Sequence, residues 1–287
     1  MNHILLKIKE IYEELDVNER KIADYMLNDL DKIIELPIRL LSEESGASQA
    51  AWVRFCKMIG YSGLKDLKRD YILNVRGQVK SDLKEMEQTY TDIQGYEKIE
   101  DIIANVSYLN QKSIEDTRLI LDANALQAAA DAISQAKRVA ILGMGASALV
   151  AQDAAYKFLR IGVNSLASLD FHMQLTSTSL LDSEDIVIII SYSGRTKEMV
   201  ECLDIAKSRG CKTICITKYG KNPISNMSDI VLSLSAAEIE KRSGAMGSRI
   251  AQLNVIDILF TAVANQKYEL VKPILEQTSN TTKLHRI

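Results

Sequence analysis

The sequence predicts two domains of different class: an all-α helix-turn-helix domain at the N-terminus, joined to a three-layer α/β domain built on a five-stranded parallel sheet. Three observations carry that reading. Up to about Arg76 the apolar positions recur at three and four residues with few β-branched runs, the pattern of short packed helices. From Arg138 onward, short apolar runs alternate with helical segments, and such βα alternation builds a parallel sheet covered on both faces. Between the two, from about Gly77 to Gln94, the pattern dissolves into polar residues such as Ser81, Asp82, Lys84, Glu85 and Glu87, and Gly95 closes the connection. The expected boundaries are residues 1–77, a linker at 78–95, and 96–287.

Composition is compatible with both domains and excludes several function classes. With 287 residues, 47% hydrophobic and 25% charged, the chain can bury a sizeable core. A net charge of −3 argues against nonspecific coating of nucleic acid, although a local patch can hide in the average. Cys56, Cys202, Cys211 and Cys215 form no Cys-x-x-Cys pair, and His3, His172 and His285 lie far apart, so neither a zinc site nor a disulfide framework is expected. No apolar run is long enough to span a bilayer, and Met1-Asn2-His3-Ile4-Leu5-Leu6-Lys7 lacks the order of a secretion signal. A cytoplasmic protein with no membrane partner and no cofactor is the expectation.

In the first domain, Ile38 to Ser45 reads as a short amphipathic helix, punctuated before it by Pro37 and after it by Gly46 in the place of a left-handed cap. Ser48 can cap the next helix, which runs from Gln49 through Ile59 to a second stop at Gly60. This is helix-turn-helix spacing. The second helix of such a unit enters the major groove, so Ser48, Gln49, Ala50 and Trp52 are expected to face base edges or phosphates, with Val53, Cys56 and Ile59 toward the core. Charge reverses on the same helix. Residues 1–53 hold six Lys/Arg against eleven Asp/Glu, a net of −5, whereas 54–80 hold seven against two, a net of +5. Arg54, Lys57, Lys65, Lys68 and Arg69 are thereby candidates to neutralise phosphates beside the groove.

The second domain opens with two helical stretches, about Tyr96 to Leu121 and Asn124 to Ala136. Strands follow at Arg138–Leu142, Val163–Ala167, Ile186–Ile190, Thr213–Thr217 and Ile230–Leu234. After the first comes Gly143-Met144-Gly145-Ala146-Ser147-Ala148, where glycines let backbone amides approach an anion at the start of the next helix. The same residues satisfy a dinucleotide fingerprint through Ala148, but the nearest acid, Asp170, lies beyond the end of the second strand. The third strand is a continuous apolar run, as a central strand requires. It ends in Ser191-Tyr192-Ser193-Gly194-Arg195-Thr196, opening a helix over Lys197–Ser208. Ser191, Ser193 and Thr196 can each donate a hydroxyl hydrogen to a phosphate oxygen, and Gly194 lets the backbone close around it. A Ser/Thr-rich helix cap without ligand is the plainer alternative.

Both halves resemble known families. Leu41 to Ser48 and Val53 to Lys68 resemble the N-terminal domain of the RpiR/MurR family of bacterial transcriptional regulators, in which S-x-A-T-V-V-R-F is common; here Ala51 and Trp52 stand in place of the Thr and a small aliphatic residue, and Trp52 is either an added apolar contact to a thymine methyl or a core residue. Gly-x-Gly-x-Ser followed by Ser-x-Ser-Gly-x-Thr resembles the sugar isomerase (SIS) domain, found in phosphosugar isomerases, in etherases and as the effector domain of these regulators. The resemblance implies that Ser147, Ser191, Ser193 and Thr196 bind a sugar phosphate. His172 at the start of a helix, and Glu240 and Arg249 in the segment before the last apolar helix, are candidate contacts for the sugar. It further implies a repressor of sugar or amino-sugar catabolism genes, released from operator DNA by a phosphorylated sugar, such as an N-acetylated amino-sugar 6-phosphate; an SIS-type isomerase or etherase is the alternative. A homodimer or homotetramer is expected, joined through the apolar helix Ala251 to Ala264 with Leu253, Val255, Ile256, Ile258, Leu259 and Phe260.

Overall fold

Ile186–Ile190, five apolar residues in a row, form a strand that is buried at every position, and the rest of the C-terminal unit is arranged around it. The computed structural model describes residues 3–74, 98–236 and 245–283. The chain divides into two compact units, Met1–Tyr90 and Thr91–Ile287, each described by itself.

The first unit is a bundle of six short helices: α1 (His3–Ile11), α2 (Val17–Asn28), α3 (Leu30–Glu35), α4 (Ile38–Ser45), α5 (Gln49–Met58) and α6 (Leu64–Asn74). Local chemistry sets the ends. Asp16 accepts from the amides of Asn18 and Glu19 at 2.8 Å while Glu19 accepts from the Asp16 amide, a reciprocal cap that starts α2. Gly46 ends α4 at φ +66, and Ser48 starts α5 by accepting from the Ala51 amide at 3.2 Å. Ile4, Ile8, Ile22, Met26, Ile33, Leu41, Trp52, Phe55, Ile59 and Leu67 fill the centre. His3 and Tyr61 both bond the Asp70 carboxylate, at 2.5 and 2.6 Å, tying α1 to α6.

The second unit runs α7 (Ile99–Ile120), α8 (Ala123–Gln135), β1 (Val139–Gly143), α9 (Ala146–Arg160), β2 (Ser165–Leu166), α10 (Phe171–Ser179), β3 (Ile186–Ile190), α11 (Lys197–Ser208), β4 (Lys212–Lys218), α12 (Pro223–Met227), β5 (Ile230–Leu234), α13 (Met246–Gln266) and α14 (Tyr268–Lys283). All strand pairs are parallel, in the order β2-β1-β3-β4-β5. Alternate side chains of the strands feed two cores. Ile141, Ile188, Ile214 and Leu232 pack against α8, α9 and α13, whereas Leu142, Val187, Ile189 and Cys215 pack against α10, α11 and α12. This is the expected three-layer, five-stranded architecture. The chain turns in opposite directions after β1 and β3, which lie side by side, so a crevice opens at the C-terminal ends of these two strands.

Of the expected oligomer contact over Ala251 to Ala264 on α13, Val255, Ile256 and Leu259 are buried inside their own unit, whereas Leu253, Ile258 and Phe260 are partly exposed. One expectation is corrected here. The second strand shrinks from the expected Val163–Ala167 to Ser165–Leu166.

Candidate functional site

In the N-terminal unit, α5 divides into two faces. Ala51, Trp52, Phe55, Cys56 and Ile59 are buried, and Gln49, Ala50, Val53, Arg54 and Lys57 are exposed, as is the cap residue Ser48. The expected assignment of Trp52 and Val53 is therefore reversed. Trp52 is wholly buried, with its indole N–H donating to Ser45 Oγ at 3.0 Å and its ring edge-on to Tyr25 at 6.0 Å, so it holds the fold and offers nothing to DNA. Two serines set the turn before it: Ser42 donates to the Ala47 carbonyl and Ser45 to that of Leu41, each at 2.6 Å. Tyr25 donates to Glu44 at 2.6 Å; burial and that carboxylate push its phenol up to about 12.

The basic residues separate in the same way. Arg54, Lys57 and Lys65 are exposed and form no ion pair among the described residues, whereas the exposed Arg69 pairs with Asp66 at 2.9 Å. Lys68 is a second correction. Its ammonium donates to the Leu36 carbonyl at 2.6 Å and to that of Ile34 at 3.4 Å, closing the end of α3, and burial lowers its pKa. It is committed to the fold rather than to a phosphate.

In the second unit, Ser147, Ser191, Ser193 and Thr196 line one cavity of about 150 Å³ at the β1–β3 crevice, together with Met144, Ala146, Ile190, Tyr192, Ala245 and Ser248. The residues on which these side chains depend make the turns possible. Gly145 takes φ +57, and a Cβ on Gly143 would come within 2.7 Å of the Ser147 carbonyl oxygen. Gly194 takes φ +63, and a Cβ there would lie 1.9 Å from the Asn222 Oδ1. Asn222 is buried and cannot yield: it caps α12 through the Ser225 amide and donates to Thr217 Oγ1 at 3.2 Å. Thr217 in turn donates to the Tyr192 carbonyl at 3.2 Å, so the whole Ser191–Thr196 turn rests on the loop after β4. Buried Gln174 bonds both the amide and the carbonyl of Gly143, holding the other turn.

Three helices begin at this cavity, and their cap residues, Gly145 for α9, Thr196 for α11 and Ala245 for α13, make no side-chain cap bond. By contrast Asp122, Asp170 and Asn222 cap α8, α10 and α12 through their side chains. The positive ends of three helix dipoles thus converge on a pocket walled by hydroxyls, an environment that favours an anion. Ser191 Oγ and Thr196 Oγ1 stand 3.3 Å apart, and Ser193 Oγ accepts from the Arg195 amide at 3.3 Å.

The other predicted contacts do not meet there. His172 and Arg249 are exposed and outside the cavity lining, and Glu240 lies outside the described residues. The linker at 78–95 lies outside them as well. Ser248, the neighbour of Arg249, is a lining hydroxyl that sequence reasoning missed; a serine in the first turn of the helix was the available signal. A larger cavity of about 490 Å³ lies between α9, α13 and α14. Of its two cations, Lys157 and Arg160, Lys157 is already held by Asp153 and Asp257. The cysteines are inert by environment: burial pushes the Cys56 and Cys202 thiols up to about 12 and the Cys215 thiol up to about 11. No helix among the described residues is long and apolar enough to cross a membrane.

Comparison with known proteins agrees with both units. The model of the helix-turn-helix domain of the rpiR family matches residues 2–74, and that of the SIS domain matches residues 132–262. An HTH-type transcriptional regulator of Caldanaerobacter subterraneus subsp. tengcongensis is 37% identical over 287 residues, 100% of this chain and 99% of the relative. The chain belongs to the RpiR family of HTH-type transcriptional regulators. A second HTH-type transcriptional regulator, from Bacillus subtilis, is 34% identical over 98% of this chain and 97% of its own. Among solved structures, the Vibrio vulnificus NanR protein complexed with ManNAc-6P shares the fold at a TM-score of 0.61 and 23% identity, covering 99% of each chain. The sugar isomerase domain of an RpiR transcription factor from Sphaerobacter thermophilus covers 63% of this chain and 99% of its own, at a TM-score of 0.57 and 21% identity.

Proposed function

We propose that this RpiR-family regulator is a repressor of sugar or amino-sugar catabolism genes, and that a phosphorylated sugar in the β1–β3 crevice controls its binding to operator DNA. The observation that carries the ligand reading is the convergence of three helix N-termini on a pocket lined by Ser147, Ser191, Ser193, Thr196 and Ser248. A sugar phosphate places its anionic head among such donors, and His172, Glu240 and Arg249 are candidate contacts for its sugar. The ManNAc-6P held by the NanR structure makes an N-acetylated amino-sugar 6-phosphate the first effector to try.

On the DNA side, the exposed face of α5 supports the reading: Gln49 and Ala50 at its start, with Ser48 before them, suit base edges or phosphates, while Arg54, Lys57 and Lys65 suit the flanking phosphates. Two reading heads on a palindrome require a homodimer or homotetramer. With Val255, Ile256 and Leu259 of α13 buried, the face for a second copy is sought on α9, where Leu149, Tyr156 and Leu159 stand more than half exposed. Leu159→Asp is expected to lower the mass measured by light scattering; an unchanged mass moves the contact elsewhere.

The central test is a thermal-shift panel of sugar phosphates followed by footprinting. The effector is expected to raise the melting temperature and change operator protection. Ser191→Ala with Ser193→Ala is expected to abolish that response while sparing DNA affinity; an unchanged response places the phosphate elsewhere. Rapid turnover of a hexose or N-acetylhexosamine 6-phosphate would instead favour an SIS-type enzyme.

A further inference from the structure

We infer that Gln252 is a positioning residue of the anion pocket, holding Ser147 in the role of hydrogen-bond donor toward the ligand; this rests on the phosphate reading above. Gln252 lies four residues after Ser248 on α13, hence on the same helix face, and is 1% exposed among Ala251, Val255 and Ile256. An amide buried among apolar neighbours needs partners. The partner here is Ser147 Oγ, on a different helix and 105 residues away in sequence, which also lines the cavity.

The direction of that bond decides what Ser147 can do. Gln252 Nε2 lies 3.1 Å from Ser147 Oγ and Gln252 Oε1 lies 3.4 Å from it, so the amide group can donate to the serine or accept from it. The shorter contact is the one in which the amide donates and the serine oxygen accepts. A serine has one hydroxyl hydrogen. With its lone pair engaged by Gln252, that hydrogen is left to point at an oxyanion. Given to Oε1 instead, it would leave Ser147 presenting lone pairs to a negative charge. No Lys or Arg side chain lines the cavity among the described residues, so binding depends on donors of this kind. Gln174, the other buried amide nearby, bonds backbone atoms of Gly143 and Ser168 and fixes the path of the turn, not the polarity of a hydroxyl.

The test is calorimetric titration of the full chain with N-acetylmannosamine 6-phosphate and with inorganic phosphate. Ser147→Ala and Gln252→Met are each expected to weaken binding about tenfold, and the double variant no more than either alone, because Gln252 acts through Ser147. Gln252→Glu, nearly isosteric, is expected to weaken binding about a hundredfold at neutral pH, since a carboxylate accepts the serine hydrogen and repels the ligand. Its deficit is expected to shrink on acidification, as the protonated carboxyl regains a donor. Losses that multiply in the double variant, or wild-type binding by Gln252→Glu, overturn the inference. Should Gln252→Met fail to fold, the same cycle is run with the neutral Gln252→Leu. Failure of the wild type to bind either probe, or undiminished binding after Ser191→Ala, overturns the phosphate reading and this inference with it; loss on Ser191→Ala with none on Gln252→Glu overturns the inference alone.

Discussion

The recognition helix α5 and the pocket turns solve opposite problems. On α5 the residues that hold the fold and those that would meet a ligand occupy different faces: Trp52 and Phe55 lie inside, Arg54 and Lys57 outside. In the pocket the two tasks share residues. Ser191 is buried, Gly194 sits against Asn222, and Tyr192 both lines the cavity and donates to the Ala236 carbonyl at 3.0 Å. A groove in DNA is read by side chains projecting from a finished scaffold, whereas a small anion is enclosed by backbone that must itself be held in place. Stability and function should therefore separate under mutation on α5 and fall together at the pocket.

The largest expected effect is on the buried side of that division. Trp52→Ala removes a wholly buried indole and should cost about 3–5 kcal/mol, unfolding the first unit at lower temperature while the second keeps its phosphate affinity. Differential scanning calorimetry with and without ligand reads both. Gly194→Ala should cost about 2–4 kcal/mol, since left-handed φ and overlap with Asn222 act together. Here stability and effector response are expected to be lost in step; a stable variant without response breaks the comparison.

A smaller effect should appear at the far end of the sheet from the pocket. Asp229 is partly buried, which raises its pKa, but two hydrogen bonds from Thr213 at 2.7 and 2.8 Å and one from Lys207 outweigh burial and hold the carboxyl below its usual range. Its folded pKa being below the unfolded one, the stabilisation is present above about pH 4 and is lost as pH falls through the folded value. Asp229→Asn should remove about 1 kcal/mol of that acid dependence. Urea midpoints between about pH 3 and 7 read it, with phosphate affinity at neutral pH unchanged.

How much of this was legible beforehand follows from the kind of burial each element has. β3 and β5 fall at the expected residues, as does α11, because a continuous or alternating apolar run and a helix opened by a Ser/Gly turn leave unambiguous patterns. Helix phase was harder. In Ala51-Trp52-Val53 three apolar residues are adjacent, so a phase error of one residue placed Val53 in the core. Ser248 was missed for the same reason, on a helix apolar all round. Gln252 was invisible, since a lone polar residue reads as surface until its partner, distant in sequence, is seen.

The smallest stability effect should accompany a clear functional one. Arg54 and Lys57 are exposed, lie three residues apart on one face of α5, and hold no carboxylate among the described residues. Removing either charge takes away no buried contact, so Arg54→Ala and Lys57→Ala should leave the stability within about 0.5 kcal/mol of wild type. On the proposed DNA reading the same changes remove a phosphate contact that releases a counterion. Each should lower the slope of log affinity against log salt by about one and weaken specific and nonspecific DNA alike. Loss confined to one base position assigns that side chain to a base edge instead. Loss of stability in either variant ends the claim that α5 keeps its two tasks on separate faces.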